Sequence, residues 1–391
     1  MPIARLNIAT KKAFSRQIRG YTDSEKTAHD RVCEIVAECN IKEILRFDLG
    51  QNPNGCAPEV AEKLQYLSEQ NDAHLILKNY PGTEISNLRD KLANMHGISP
   101  DQLLFSAGTE QMIGLIARSI LEEKDSILVN RPSFFVFENV SNKMGAHILH
   151  LDLNVESGFN WTEQTLERFK VMQKQYIPKI IWIANPNNPT GQAIADDILE
   201  EILRFTANYP TLVVIDEAYG EYLDPPNGFK SISQIVPNQR NLLVLRTFSK
   251  AYGLASIRLG YAITSDENLS AAIRLHSNAY PVSELSIMLA NFALNHMDYL
   301  EQTRQETIRC RKQFLEWTKS IPKLEVINSD CSILMLKHKH YDSITLRRLL
   351  EKLGIFTSSI PGSDEIAKSF IRISLGRERE NRILYEQLRC I

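Results

Sequence analysis

One strip of this chain, "NLLVLRTFSKAYGLASIRLGY" (Asn241 to Tyr261), passes from an apolar run straight into hydroxyls, a lysine and an arginine. An amine fixed at the end of such a run can act as a nucleophile or a proton carrier, which makes Lys250 the first candidate for chemistry. Thr247, Ser249 and Arg258 add hydroxyls and a guanidinium fork, a donor set that suits phosphate oxygens. A second anion-binding set lies in "FSAGTEQMIGLIARSIL", where Ala107 and Gly108 precede a helical pattern with Thr109 near its start. Exposed amides at a helix N-terminus, beside a hydroxyl, favour a phosphate. The segment "TLVVIDEAYGEY" contributes an acid, Asp216, with the phenol Tyr219 three residues on. In "KIIWIANPNNPTG" a proline-interrupted turn presents the amide of Asn188.

Each piece has a plain structural alternative. A lysine at a strand end is usually a solvated charge, Asp216 with Glu217 can cap a following helix, and "NPNNPTG" alone is a turn. Their convergence shifts the balance. An amine, an acid that can pair with a ring nitrogen, groups for a phenolic oxygen and a phosphate cup are the parts needed to hold pyridoxal phosphate. The cofactor's aldehyde condenses with a lysine amine, and its ring draws off electrons if a carboxylate keeps the ring nitrogen protonated. Phe134, in "RPSFFVF", offers an aromatic face for that ring.

Positioning these residues together requires a particular framework. "SILV", "HILHLDL", "KIIWIA", "TLVVI", "NLLVL" and "LGYAI" are short, apolar and bounded by polar or turn residues, and they read as buried strands. Between them "TEQTLERFKVMQKQ" and "ADDILEEILRFTANY" have the apolar spacing of amphipathic helices. Strand and helix in alternation predict an α/β fold with a mainly parallel central sheet flanked by helices, and ligands gather beyond the carboxyl ends of such strands. From about residue 285 the texture changes to long helical segments and then to "SILMLK", "LRRLLEKLGIFT" and "SFIRISLG", which predict a smaller α+β domain. The division expected is an N-terminal arm and part of the small domain over 1–70, a large cofactor-binding domain over 71–280, and the C-terminal small domain over 281–391.

Composition removes other classes. With Lys+Arg 45 against Asp+Glu 47, there is no basic excess to drive binding to nucleic acid or an acidic membrane. No apolar stretch approaches the ~20 residues that span a bilayer, and "MPIARLNIATKKAFSRQ" lacks the apolar core of a secretory signal. A cytoplasmic protein is expected. Cys33, Cys39, Cys56, Cys310, Cys331 and Cys390 form no C-x-x-C pair and read as free thiols. His338 and His340 in "LKHKHYD" are crowded by Lys337 and Lys339 without a carboxylate or cysteine to complete a metal site, so no metal is expected.

At this point the chain resembles the class I/II, fold-type I aminotransferases, most closely their histidinol-phosphate aminotransferase-like branch. The resemblance runs from "LGQNPNG" through "YPGTEISNLRDKLA", "NPNNPTG", "IDEAYGEY" and "RTFSKAYGLASIRLGY" to "FIRISLG". It implies that Lys250 condenses with the cofactor and then carries the proton, that Asp216 pairs with the pyridine nitrogen, that Asn188 and Tyr219 hydrogen-bond the ring oxygen, and that Phe134 stacks on the ring. Gly108, Thr109, Thr247, Ser249 and Arg258 would hold the phosphate, joined by Tyr80 from a neighbouring subunit of a homodimer. Arg372 would bind the substrate's carboxylate or phosphate, with Asn188 and the backbone amide of Gly50 close by.

Two departures stand out. The branch carries a second arginine about a dozen residues before the one matching Arg372, where this chain has Ser358 and Ser359, and it reads Asn-Glu where this chain has Gly50-Gln51. Losing an arginine fork weakens recognition of a substrate phosphate. The resemblance thus implies amino transfer between an amino acid and a 2-oxo acid or related ketone by ping-pong chemistry. The alternative on the same scaffold is a lyase, such as a decarboxylase resembling threonine-phosphate decarboxylase.

Overall fold

The apolar runs that end in chemistry-bearing residues become the inner strands of a sheet covered on both sides. Their alternation shows this in the computed structural model, which describes residues 28–39, 41, 43–71, 73–224, 231–362 and 365–391. Thirteen strands are formed among the described residues: β1 (Leu45–Arg46), β2 (Leu103–Ser106), β3 (Ser126–Arg131), β4 (His147–Asp152), β5 (Ile180–Ala184), β6 (Leu212–Asp216), β7 (Leu242–Thr247), β8 (Gly260–Thr264), β9 (Leu324–Val326), β10 (Ile333–His338), β11 (Ile355–Phe356), β12 (Ser358–Ser359) and β13 (Phe370–Ser374). Along β5, Ile181 and Ile183 enter one apolar core while Ile180, Trp182 and Ala184 enter another. Val213 and Ile215 of β6 oppose Val214, and Val244 of β7 opposes Leu243 and Leu245, in the same way. Successive side chains of a strand face opposite sides, so a strand buried on both faces must be apolar throughout.

The main sheet has the order β2-β8-β7-β6-β5-β3-β4. Neighbours pair in parallel from β7 across to β4, whereas β8 is antiparallel to both β7 and β2. The mainly parallel α/β sheet expected from the strand and helix alternation is the one found. "LLFS" was not among the runs read as strands, and as β2 it aims the Gly108 turn at the same edge. Helices Thr109–Ile120, Glu163–Tyr176 and Asp196–Thr206 cover the faces.

A second, antiparallel sheet, β12-β13-β10-β9, carries its own core. Here Ile371 and Ile373 of β13 join Leu334, Leu336, Leu346, Leu384 and Phe314 on one side, while Phe370 joins the main core on the other. The two-residue period therefore turns Arg372 and Ser374 toward the main sheet. β1 pairs in parallel with β11, which ties the segment leading to Gly50 onto this unit. Arg31 adds a hydrogen bond to Glu351 at 3.0 Å. Cys39, Cys56, Cys310, Cys331 and Cys390 are free thiols. No helix among the described residues is long and apolar enough to cross a membrane. The stretch read for a secretory signal lies outside the described residues.

Candidate active site

Strand register brings the candidate residues to one rim. Asp216, the last residue of β6, lies level with Ala184 at the end of β5 and Leu245 near the end of β7. Thr247, the last of β7, faces Gly260, which also faces Ser106 at the end of β2. The Asn188 turn, Asp216, Lys250 and the Gly108–Thr109 helix start thus all leave the carboxyl edge of the parallel strands, where a ligand can meet several loops at once.

Asp216 is 4% exposed. Its Oδ1 accepts the Ala218 N–H at 3.0 Å, and it makes no salt bridge among the described residues. Burial pushes its carboxyl up to about 7, against only partial opposition from that N–H and from the Lys250 charge. A buried acid in this state lacks a cationic hydrogen-bond donor, and a protonated ring nitrogen is one.

Lys250 is half-buried. Its Nζ donates to the Leu49 carbonyl at 3.0 Å and stands 5.2 Å from the centre of the Tyr219 ring. Gly50 closes this corner from the small unit, with φ +64. A Cβ at Gly50 would lie 2.4 Å from Tyr219 Oη and 3.4 Å from Lys250 Nζ. Both the left-handed backbone and the contact require glycine. Gly50→Ala is accordingly expected to displace Tyr219 or the loop itself by a fraction of an ångström to an ångström. Misplacement of that size lowers kcat/KM by about 10²-fold, and steady-state kinetics of the refolded variant measures it.

The phosphate cradle is built from backbone and one guanidinium. Gly108 caps the helix Thr109–Ile120 at φ 86, and a Cβ there would lie 2.5 Å from Nη2 of Arg258. The arginine therefore lies directly over the glycine. Arg258 is itself left-handed at φ 51, and its Nη1 donates to the Ala255 carbonyl at 3.0 Å. Thr247 Oγ1 accepts the Ser249 N–H at 3.1 Å, which folds the two hydroxyls into one turn. The first amides of a helix have no intrahelical acceptor, so they face the cradle with their partial positive charge. This cradle and the acid without a cation fit the two ends of pyridoxal phosphate. Phe134 is half-buried at the start of the helix Phe135–Lys143, edge-on to Phe137 with ring centres 5.6 Å apart.

Arg372 meets Asn188 across the gap between the two units. Its Nη1 donates to Asn188 Oδ1 at 2.9 Å, and its Nη2 donates to Ser358 Oγ at 2.9 Å and to the Asp48 carbonyl. Ser358 Oγ in turn donates to that carbonyl at 2.6 Å. The serine found where the resemblance calls for an arginine therefore orients the remaining one. Register makes this contact, since Ser358 of β12 lies opposite Arg372 of β13.

Sequence reading missed the charged group beneath Asp216. Arg246 Nη1 pairs with Glu217 at 2.8 Å and its Nη2 with Glu221 at 2.5 Å, all three side chains being almost fully buried. Glu217 also accepts the Ile232 N–H at 2.8 Å. It thus meets the first amide of the short helix Ile232–Asn238 and not the turn that follows it directly in the chain. Beside this group His96 bridges Tyr261 Oη and Ser233 Oγ, each at 2.9 Å, and burial followed by the Arg246 charge pushes its imidazole down to about 3. The available signal was Arg246 itself, a charge inside a buried strand that demands a partner. Tyr80 stands apart from these residues, 77% exposed and stacked on Tyr280 with ring centres 4.6 Å apart.

An acid, an amine and a phosphate cradle at the carboxyl rim of this sheet define a fold-type I pyridoxal-phosphate enzyme. The chain belongs to the family of class I and II aminotransferases, whose model matches residues 42–388. It is similar to the histidinol-phosphate aminotransferase of Ruminiclostridium cellulolyticum, at 31% identity over 349 residues, covering 89% of this chain and 92% of that one. Among solved structures, the histidinol-phosphate aminotransferase of Sinorhizobium meliloti in complex with pyridoxal-5'-phosphate superposes with a TM-score of 0.81 at 22% identity, over 99% of this chain and 97% of that one. The L-threonine-O-3-phosphate decarboxylase of Porphyromonas gingivalis superposes with a TM-score of 0.72 at 20% identity, over 89% of this chain and 99% of that one, which is a likeness of fold. The reaction is pyridoxal-phosphate-dependent amino transfer, and the lyase alternative is the weaker one.

Proposed function

We propose that this aminotransferase passes amino groups between amino acids and 2-oxo acids whose carboxylate is held at Arg372, and that it works as a cytoplasmic homodimer. The observation that carries this reading is the meeting of Arg372 and Asn188, at 2.9 Å, over the rim that bears Asp216 and Lys250. When bound, pyridoxal phosphate supplies the aldehyde that takes the amine and the ring that takes the electrons released at the substrate's Cα. Asp216 holds the positive charge of the ring nitrogen. Lys250 would hold the cofactor's aldehyde carbon and would carry the proton at the substrate's Cα, from a position fixed by the Leu49 carbonyl and the Tyr219 ring. Tyr219 and Asn188 orient the ring oxygen, while Gly108, Thr109, Thr247, Ser249 and Arg258 grip the phosphate, with Tyr80 reaching it from the partner subunit. Boundaries near residues 70 and 280, as the sequence reading divides the chain, would put the two faces of the cleft on separate units.

One guanidinium, already committed to Asn188, Ser358 and the Asp48 carbonyl, supports a carboxylate over a phosphate dianion, so amino acids are proposed here in preference to histidinol phosphate. The holoenzyme, given amino acids one at a time without an acceptor, should convert its cofactor to the amine form, and a 2-oxo acid should reverse the change. Failure with every donor would remove the reading. Arg372→Ala should raise KM for carboxylate donors by about 10²-fold, the worth of two charge-assisted hydrogen bonds, with a smaller change in kcat. Light scattering at twice the 44.6 kDa chain mass tests the dimer.

A further inference from the structure

Two buried asparagines stand behind the rim, Asn130 near the end of β3 and Asn187 beside Asn188. A buried amide needs partners, and these two find theirs in each other and in two turns. Backbone pairing of β3 with β5 runs through Val129 and Trp182, and beyond that point the amides bridge the diverging chains. Asn130 Nδ2 donates to the Pro132 carbonyl at 3.0 Å and to Asn187 Oδ1 at 3.4 Å. Asn187 Nδ2 donates to the same carbonyl at 3.0 Å and to Thr190 Oγ1 at 2.8 Å, while Ser133 Oγ donates to Asn187 Oδ1 at 3.2 Å. A carbonyl can only accept, which fixes the direction of both amides.

These bonds join the two turns on which the candidate ring contacts stand. Pro132 and Ser133 lead directly into Phe134. Asn187 precedes Asn188 and closes its own turn, since the Gly191 N–H donates to the Asn187 carbonyl at 2.7 Å and the Asn187 N–H to the Gln192 carbonyl at 2.8 Å. Arg372 holds Asn188 at Oδ1, so the N–H groups of that amide remain to donate toward a ring oxygen. Without the Asn187 amide, the Pro132 carbonyl and the Ser133 hydroxyl lose their bonds to the Asn188 turn. The face contact and the edge contact could then drift apart, and displacements of an ångström or less matter at a reaction site.

We propose that Asn187 is a positioning residue for the cofactor ring, tying the turn that carries Phe134 to the turn that carries Asn188 so that the ring's face and its oxygen are met at a fixed separation. This rests on the reading of Phe134 and Asn188 as ring contacts. The first probe is pyridoxine 5'-phosphate, which lacks the aldehyde and so binds the apoprotein without a bond to Lys250, titrated by calorimetry. Asn187→Ala should weaken it by about 10-fold, the worth of one hydrogen bond to a charged atom. In a background already carrying Phe134→Ala and Asn188→Ala the same change should cost less than about twofold, because a residue that acts through those two has nothing left to position. The second probe is the absorbance of the pyridoxal-phosphate holoenzyme against pH. A hydrogen bond to the ring oxygen favours its ionised form, so Asn187→Ala should move the midpoint up by about half a unit to one unit. Ser133→Ala removes a single hydroxyl at the edge of this group and should shift both readouts the same way, by about threefold in affinity. It decides the matter if Asn187→Ala does not fold. Either readout unchanged in a folded variant, or the full 10-fold loss persisting in the doubly substituted background, would overturn the proposal. Failure of the ring-contact reading appears separately, as a Phe134→Ala, Asn188→Ala apoprotein that binds pyridoxine 5'-phosphate as tightly as the parent.

Discussion

Lys250→Ala is expected to lower turnover by about 10⁴-fold or more, since it removes both the nucleophile and the proton carrier. The fold should survive. Among the described residues the amine touches only the Leu49 carbonyl and the Tyr219 ring, and Lys250 is half-buried, so no core contact there depends on the charge. The cradle of Gly108, Thr109 and Arg258 is untouched, and pyridoxal phosphate should still bind. Three readouts separate loss of chemistry from loss of site. Borohydride should fix the cofactor covalently to the parent and not to the variant, the far-ultraviolet spectrum should be unchanged, and small primary amines in the buffer should restore part of the proton transfer. Retention of a tenth of the parent activity would show that another group does this work.

The lysine was legible in sequence for a definite reason. Strands buried on both faces must be apolar from end to end, so the first polar residues after "NLLVL" and "TLVVI" mark strand ends, and strand ends in parallel sheets are where ligands sit. Lys250, Asp216 and Asn188 were placed by that rule alone. Ser358 was not, because its meaning depends on register. It matters through its position opposite Arg372. That fact is not encoded in local spacing. Arg246 falls between these cases: its burial follows from its strand, while its pairing with Glu217 and Glu221 depends on the turn after β6. The resemblance marked a missing arginine near Ser358, and the structure adds that the serine holds the guanidinium that remains.

The second large effect separates the two roles of a buried acid. Asp216→Asn should lower kcat/KM by about 10²- to 10³-fold, the usual cost of removing one charge that stabilises a reacting system. The same substitution should stabilise the apoprotein. Burial raises the folded carboxyl from 3.8 to about 7. Below pH 4 both folded and unfolded chains hold the proton and Asp216 contributes no pH dependence. Between pH 4 and 7 the unfolded chain releases the proton while the folded one keeps it, so stability falls as pH rises, by ~4 kcal/mol in all, and levels off above 7. An asparagine has no proton to release, and that decline should be missing from Asp216→Asn. The measurement is the difference in urea midpoints between parent and variant apoproteins from pH 4 to pH 8, which cancels the other titrating groups. With pyridoxal phosphate bound the order should reverse, because the protonated ring nitrogen gives the carboxylate its missing partner and leaves the asparagine facing a cation. A variant apoprotein that loses stability with pH as steeply as the parent would mean that Asp216 is already ionised when the protein folds, and that the cofactor's charge is balanced elsewhere.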